Sequence, residues 1–208
     1  MKNLRLIIFW GACWGVLEAT LGWFLHLIHF KGEVLLLYPF GLMCMMMAFR
    51  QTGKTSSIIK VAMVASLLKL TNLLIAPMAP YFHVINPAVA IILEGSVTWA
   101  FVAYMVKKRD DFKWSVPSAV VLMFVSLLMF RGWQVLMDAF VAYNPTVHPA
   151  IDSSLLLVWS WRAAVQGLML TGVYYLARAV PVQLNLSRWT NFLAIPSLLL
   201  ALLLNVLI

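Results

Sequence analysis

Seven apolar runs, separated by short loops that hold most of the charge, constrain this chain more than any other feature. They cover residues 6–28, 34–49, 57–76, 84–106, 116–143, 154–180 and 190–208. In hydrocarbon a lone strand leaves its backbone N–H and C=O groups unpaired, so runs of this length read as helices. About 20 apolar residues, rising ~1.5 Å each, match a bilayer core of about 30 Å. The second run is the short one: its 16 residues rise only about 24 Å. The fifth is long, with Pro117 and Tyr143 expected at its wet ends.

The fold expected is all-α: a polytopic membrane helix bundle of six to seven transmembrane helices, one integral membrane domain over residues 1–208, with a cytoplasmic N-terminus. Composition agrees. The chain is 63% hydrophobic and 11% charged, with mean hydropathy +0.93, against about 25% charged in a water-soluble domain. An ordinary cytosolic enzyme, a disordered chain and a disulfide-stapled secreted domain are excluded. Cys13 and Cys44, two cysteines with none outside, make no disulfide framework.

Charge placement sets the orientation. With the N-terminus inside, the cytoplasmic side collects Lys2, Arg5, Arg50, Lys54, Lys60, Lys107, Lys108, Arg109, Lys113, Arg178 and Arg188, and the outside only Lys31. Such a bias is the positive-inside signature, and it requires the short second run to cross. The net charge of +8 is thereby explained by orientation, without nucleic acid. Lys2 and Arg5 before an apolar run resemble a signal peptide. The run is too long for one and carries Glu18, so it reads as a retained first helix.

Ionisable groups inside spans cost about 2.5–3.5 kcal/mol each on insertion scales and are functional-site hypotheses by default. They are Glu18, Lys69, Glu94, Arg131 and Arg162, with Asp138 nearer a rim. Counting ~1.5 Å per residue from the span ends places all five near the midplane or just outside it. Helical spacing adds Asn72 to Lys69, Gln134 and Asp138 to Arg131, and Gln166 to Arg162. Two acids do not neutralise three cations. Unless Asp138 reaches in, one cation is left over, which suits a carboxylate or phosphate on a ligand. The competing reading is a structural network of ion pairs that locks the bundle.

The four histidines, His26, His29, His83 and His148, all fall on the outer side. His26-x-x-His29 puts two imidazoles on one helix face, as metal ligands require, and His83 and His148 fall in outer loops that could cap a cavity. Met43-Cys44-Met45-Met46-Met47 points sulfur all round a helix axis, so adaptable packing is the better reading than copper. Gly53-Lys54-Thr55 lacks the preceding glycine of a phosphate loop. Trp10, Trp14, Trp23 and Trp189 read as interface anchors.

A weak repeat links spans one and four. Leu17-Glu18-Ala19-Thr20 is followed by Trp23, and Leu93-Glu94-Gly95-Ser96 by Trp99. The two spans run in opposite directions, as in transporters built from inverted three-helix units. Gly11, Gly15 and Ala19, at four-residue spacing, permit close helix approach, either within the bundle or onto a separate membrane subunit.

These stretches resemble the substrate-binding S components of energy-coupling-factor transporters. The residues concerned are Gly11 to Gly22, Leu25 to His29, Ala65 to Leu70, and Asn86-Pro87 to Glu94-Gly95. They cover about a third of the first half of the chain, while the later spans match only in size and hydropathy. The resemblance implies capture of a small vitamin-like, metal or metal-chelate solute from outside. It implies a transmembrane coupling subunit and two ATPase subunits as partners, with Gly11, Gly15 and Ala19 as the docking face. ATP is then used by the partners, with no cofactor in this chain. The setting is the prokaryotic plasma (inner) membrane, with a multi-pass topology. The chain departs from the family in a seventh uncharged span and in glycine where the docking motif usually has alanine. The ligand-binding set expected is Glu18, Lys69, Asn72, Glu94, Arg131, Gln134, Arg162, Gln166, His83 and His148. The alternative is a self-sufficient secondary transporter with an ion-coupled Glu18–Glu94 pair. No nucleophile–base spacing and no zinc-protease signature is present, so an enzyme is not expected.

Overall fold

A computed structural model describes residues 2–28, 33–75, 82–108, 111–141, 152–179 and 186–207. All the regular structure among them is helical: α1 (Lys2–Leu27), α2 (Glu33–Thr52), α3 (Ser56–Leu70), a single turn α4 (Asn72–Ile75), α5 (Phe82–Lys107), α6 (Phe112–Val141), α7 (Ser153–Ala179) and α8 (Leu186–Leu207). With α3 and α4 taken together these are seven helices. Four are long and apolar enough to cross a membrane: 3–22, 56–74, 82–107 and 112–139.

Local chemistry explains several boundaries. The second helix runs to 20 residues, longer than its apolar core suggested, because polar Gln51 and Thr52 continue the last turn. It stops at Gly53, whose φ of +69° no side chain hinders, while its N–H reaches back to the Phe49 carbonyl at 2.8 Å. Thus Gly53-Lys54-Thr55 is a helix stop. Pro117 lies inside α6, which starts before it at Phe112. Pro39, Pro87 and Pro117 sit in the second turn of their helices and Pro196 mid-way along α8, each removing a backbone donor from the ladder. At the head of α7, Asp152 Oδ1 accepts from the Leu155 N–H at 2.8 Å and the Ser154 hydroxyl at 2.9 Å.

Packing closes six of these helices into a ring, in the order α1, α3, α5, α6, α7, α2 and back to α1. Helix α8 stands outside it, against α1, α3 and α4. Close approaches are made at glycines. A Cβ on Gly11 would lie 2.5 Å from Val64, and one on Gly15 2.7 Å from Leu68, so α1 lies tight against α3. One on Gly41 would lie 2.6 Å from the Trp14 ring, and one on Gly167 2.8 Å from the Val120 backbone nitrogen. Gly95 abuts Ala62.

The main core joins Trp14, Tyr38, Leu42, Met45, Met46, Phe101, Met105 and Tyr174. Two sulfurs of the methionine run, Met45 and Met46, are therefore core packing, while Met43 faces outward. The outside of the bundle is apolar: Leu74 and Phe192 are each 85% exposed, with Leu157, Trp161, Ile195 and Leu199 also exposed. A surface of this kind needs hydrocarbon around it, which agrees with a membrane protein. Cys13 and Cys44 are both free.

Candidate functional site

Inside an apolar ring, polar atoms mark what the ring is for. One group of them lies on α1, α2 and α5. Trp14 and Glu18 are one helical turn apart on α1, and the indole N–H donates to Glu18 Oε1 at 3.2 Å. The Trp14 ring can lie there because Gly41 of α2 has no side chain. Glu18 Oε2 points along α1 toward Gly22, beside Leu37 of α2. Glu94 comes from α5, and its carboxyl and that of Glu18 act on one another electrostatically. One turn further along α5, Thr98 adjoins the hydroxyl of Tyr38 from α2, which also feels the Glu94 charge.

Tyr38 and Thr98 are 1% and 0% exposed, and neither hydroxyl makes a well-formed hydrogen bond among the described residues. Both glutamates are only partly buried. A buried hydroxyl without a partner costs about 1–3 kcal/mol.

Glu18 and Glu94 hold the same place in their two motifs, and the following hydroxyls behave alike. Thr20 donates to the Val16 carbonyl and Ser96 to the Ile92 carbonyl, each at 2.8 Å and four residues back. Their small neighbours Ala19 and Gly95 are both buried.

A second polar layer follows the end of α3, α4, the start of α5 and the second half of α6. Lys69 is partly buried near the end of α3, and Asn72 opens α4 with a buried Oδ1 that lacks a hydrogen bond. Asn86 of α5 accepts from the Trp133 indole of α6 at 3.2 Å. Arg131, Gln134 and Asp138 are all partly buried along α6.

Other sequence expectations part from this geometry. Arg162 is exposed while Gln166, one turn away, is 5% exposed. On this stretch of α7, Leu156, Leu157, Val158 and Trp161 are exposed with Arg162, while Trp159 and Ala163 are buried. Arg162 therefore does not join the interior groups, and the charge count that left one interior cation over no longer holds. Gly11 and Gly15 are occupied by α3, so of the two readings of that stripe the structure uses packing within the bundle; Ala19 is buried as well. His83 is exposed, its ring 4.4 Å from that of Phe82. His29, His148 and the side chain of His26 lie outside the described residues, as does the Trp23 side chain. No cluster of three metal-ligating side chains occurs among the described residues. Trp10 of α1 donates to Gln51, near the end of α2, at 3.1 Å. An apolar groove of about 380 Å³ beside Tyr104, Trp114 and Pro117 opens on the bundle's flank, away from the acidic pair.

Sequence reasoning missed Trp14, Tyr38 and Thr98 as site residues. Trp14 and Thr98 stand four residues from a glutamate, a spacing that shares a helix face. Tyr38 carried no such signal, because its position depends on how α2 is set against α1 and α5. Comparison with protein-family models, curated proteins and solved structures finds no match to this chain.

Proposed function

We propose that this protein is the substrate-capture subunit of a nutrient uptake transporter in a prokaryotic plasma membrane. It crosses the membrane several times with its N-terminus inside, binds a small polar solute from outside, and is energised by separate coupling and ATPase subunits. The observation that carries this reading is the second polar layer, in which Lys69, Arg131 and Gln134 are partly buried and Asn72 Oδ1 is buried without a hydrogen-bond partner among the described residues. Such atoms are expensive to keep unless something binds them. The solute is placed in the outer layer, with Lys69, Asn72, Arg131 and Gln134 as its polar contacts. Since α3 covers Gly11 and Gly15, the coupling subunit docks on another face. Tagged protein purified in mild detergent should bring down a membrane subunit and two ATPases, and Lys69→Ala should weaken uptake about tenfold or more. Uptake by the lone chain in liposomes would overturn this reading.

One observation favours a second reading. The two matched glutamates lie within electrostatic reach of one another, as an ion-coupled pair in a self-sufficient secondary transporter would. In that case a pH gradient alone drives uptake in liposomes, and Glu18→Gln abolishes it.

A further inference from the structure

We infer that the groove between α5 and α6 binds one anionic diacyl phospholipid. An acyl chain lies along Tyr104, Trp114 and Pro117, and Lys107, Lys108 and Lys113 hold the phosphate headgroup. The inference does not rest on nutrient capture, because a transporter of either kind lies in the same lipid.

Helices α5 and α6 pack against one another, and only a short link separates the end of α5 at Lys107 from the start of α6 at Phe112. The groove of about 380 Å³ opens between them, with Ala100 and Tyr104 on one wall and Trp114, Pro117, Val121 and Leu122 on the other. From Trp114 to Leu122 it follows α6 for about 12 Å, at ~1.5 Å per residue. Its walls offer carbon. The Ser118 hydroxyl, which also lines it, donates to the Trp114 carbonyl of its own helix at 2.6 Å. Around the groove Val106, Phe112, Trp114, Val121 and Val125 are exposed, so its mouth opens on the apolar outside of the bundle.

Cations gather at the end of the groove near the link. Lys107 and Lys108 follow Tyr104 by three and four residues and share its side of α5. The Lys108 N–H donates to the Tyr104 carbonyl at 2.9 Å, so that turn is closed. Lys113 stands one turn before Pro117 on α6. All three lysines are exposed. The acid described among them, Asp111, accepts from the Lys113 backbone N–H at 3.1 Å, and one carboxylate against three ammonium groups leaves the cluster positive. Charge then selects the occupant. Lysines near a bilayer surface attract anionic lipids, and basic pockets beside membrane helices take their headgroups. Tyr104 and Trp114 are rings of the type that sits where acyl chain meets headgroup. A second apolar helix would fill the groove and leave the lysines without counter-charge. A free phosphate would meet the lysines and leave the groove unused. A negatively charged lipid answers both halves.

The test is lipid binding by the full chain, purified in detergent. Phosphatidylglycerol and phosphatidylcholine with the same acyl chains, brominated so that lipid seated beside an indole quenches its fluorescence, are titrated in turn. Phosphatidylglycerol should quench saturably and at lower concentration than phosphatidylcholine, and Trp114→Phe should remove that saturable component. Phosphatidylglycerol should also raise Tm, because a ligand that binds only the folded state stabilises it. Lys108→Gln and Lys113→Gln should each weaken phosphatidylglycerol binding about fivefold and leave phosphatidylcholine unchanged. Val121→Phe narrows the groove at a position 61% exposed, where bulk does not threaten the fold, and should weaken both lipids at least about threefold. Lys60→Gln, at an exposed cation on α3, should change nothing. Equal quenching by the two lipids, or an equal loss in Lys60→Gln, would reduce the effect to general surface attraction and overturn the site. Displacement of the lipid by inorganic phosphate at millimolar concentration would make it a phosphate site instead. A dimer in detergent that Val121→Phe dissociates would give the groove to a second copy of the chain, and unchanged binding in Val121→Phe would remove the groove from the account.

Discussion

At the scale of single residues, Trp14 joins packing to polarity. Its ring lies on Gly41 and its N–H holds Glu18. Trp14→Phe keeps most of the apolar contact and deletes the donor. Hydrogen bonds to charged groups contribute about 1.5–3 kcal/mol, so the variant should lose about 2 kcal/mol in a reversible unfolding assay in detergent. Asp152 provides a contrasting case at the surface. The Leu155 N–H, and then the Ser154 hydroxyl, hold its carboxyl below the usual carboxylate range. A carboxyl whose pKa is lower in the folded state stabilises that state above its unfolded pKa. The contribution fades as pH falls through the lowered value. Amide exchange at Leu155 should therefore stay slow near neutral pH and speed up in acid beyond the intrinsic pH effect. In Asp152→Asn the acid-dependent part should disappear.

At the scale of helices, glycine location separates contacts from open surface. Gly167 faces the Val120 backbone, which has no flexible end to swing aside, whereas Gly132 has open space. Gly167→Ala should push α6 from α7 and cost about 1–3 kcal/mol, as overpacking does. Gly132→Ala should be neutral or stabilise by up to ~1 kcal/mol, since alanine loses less backbone freedom in a helix. Thermal unfolding of the two variants side by side checks this. Sequence alone distinguishes neither glycine, because both sit in apolar helical runs. The runs themselves were legible, since lipid leaves a chain few alternatives to helix. Helix ends were less so: α2 gained a turn from polar Gln51 and Thr52, and α6 began before its proline. The same limit applies to the site. Glu18 and Glu94 stood out because charge is rare in such runs, and their shared motif fits their lying within electrostatic reach of one another. Tyr38 could not be found, because its role comes from helix rotation and not from spacing. Arg162 looked like Arg131 in sequence, but α7 turns it away from the ring.

At the scale of the whole molecule, α8 is the element that a six-helix ring does not need. It packs outside that ring, and a small buried cluster of Ala12, Leu68 and Ala201 marks the contact. Ala201 is 0% exposed, so a larger side chain there has no room. Ala201→Leu should displace α8 at a cost of about 1–3 kcal/mol. The ring contacts at Gly11, Gly15, Gly95 and Gly167 involve other helices and should survive. The expected result is a lower Tm with a single cooperative transition retained. If the transition also broadens, α8 supports the ring through α1, and the ring does not form an independent unit. Reporter fusions locate the termini in the same variant: with seven crossings the start of α1 reports inside and the end of α8 outside, and a displaced α8 that no longer crosses would move only the second reporter to the inside.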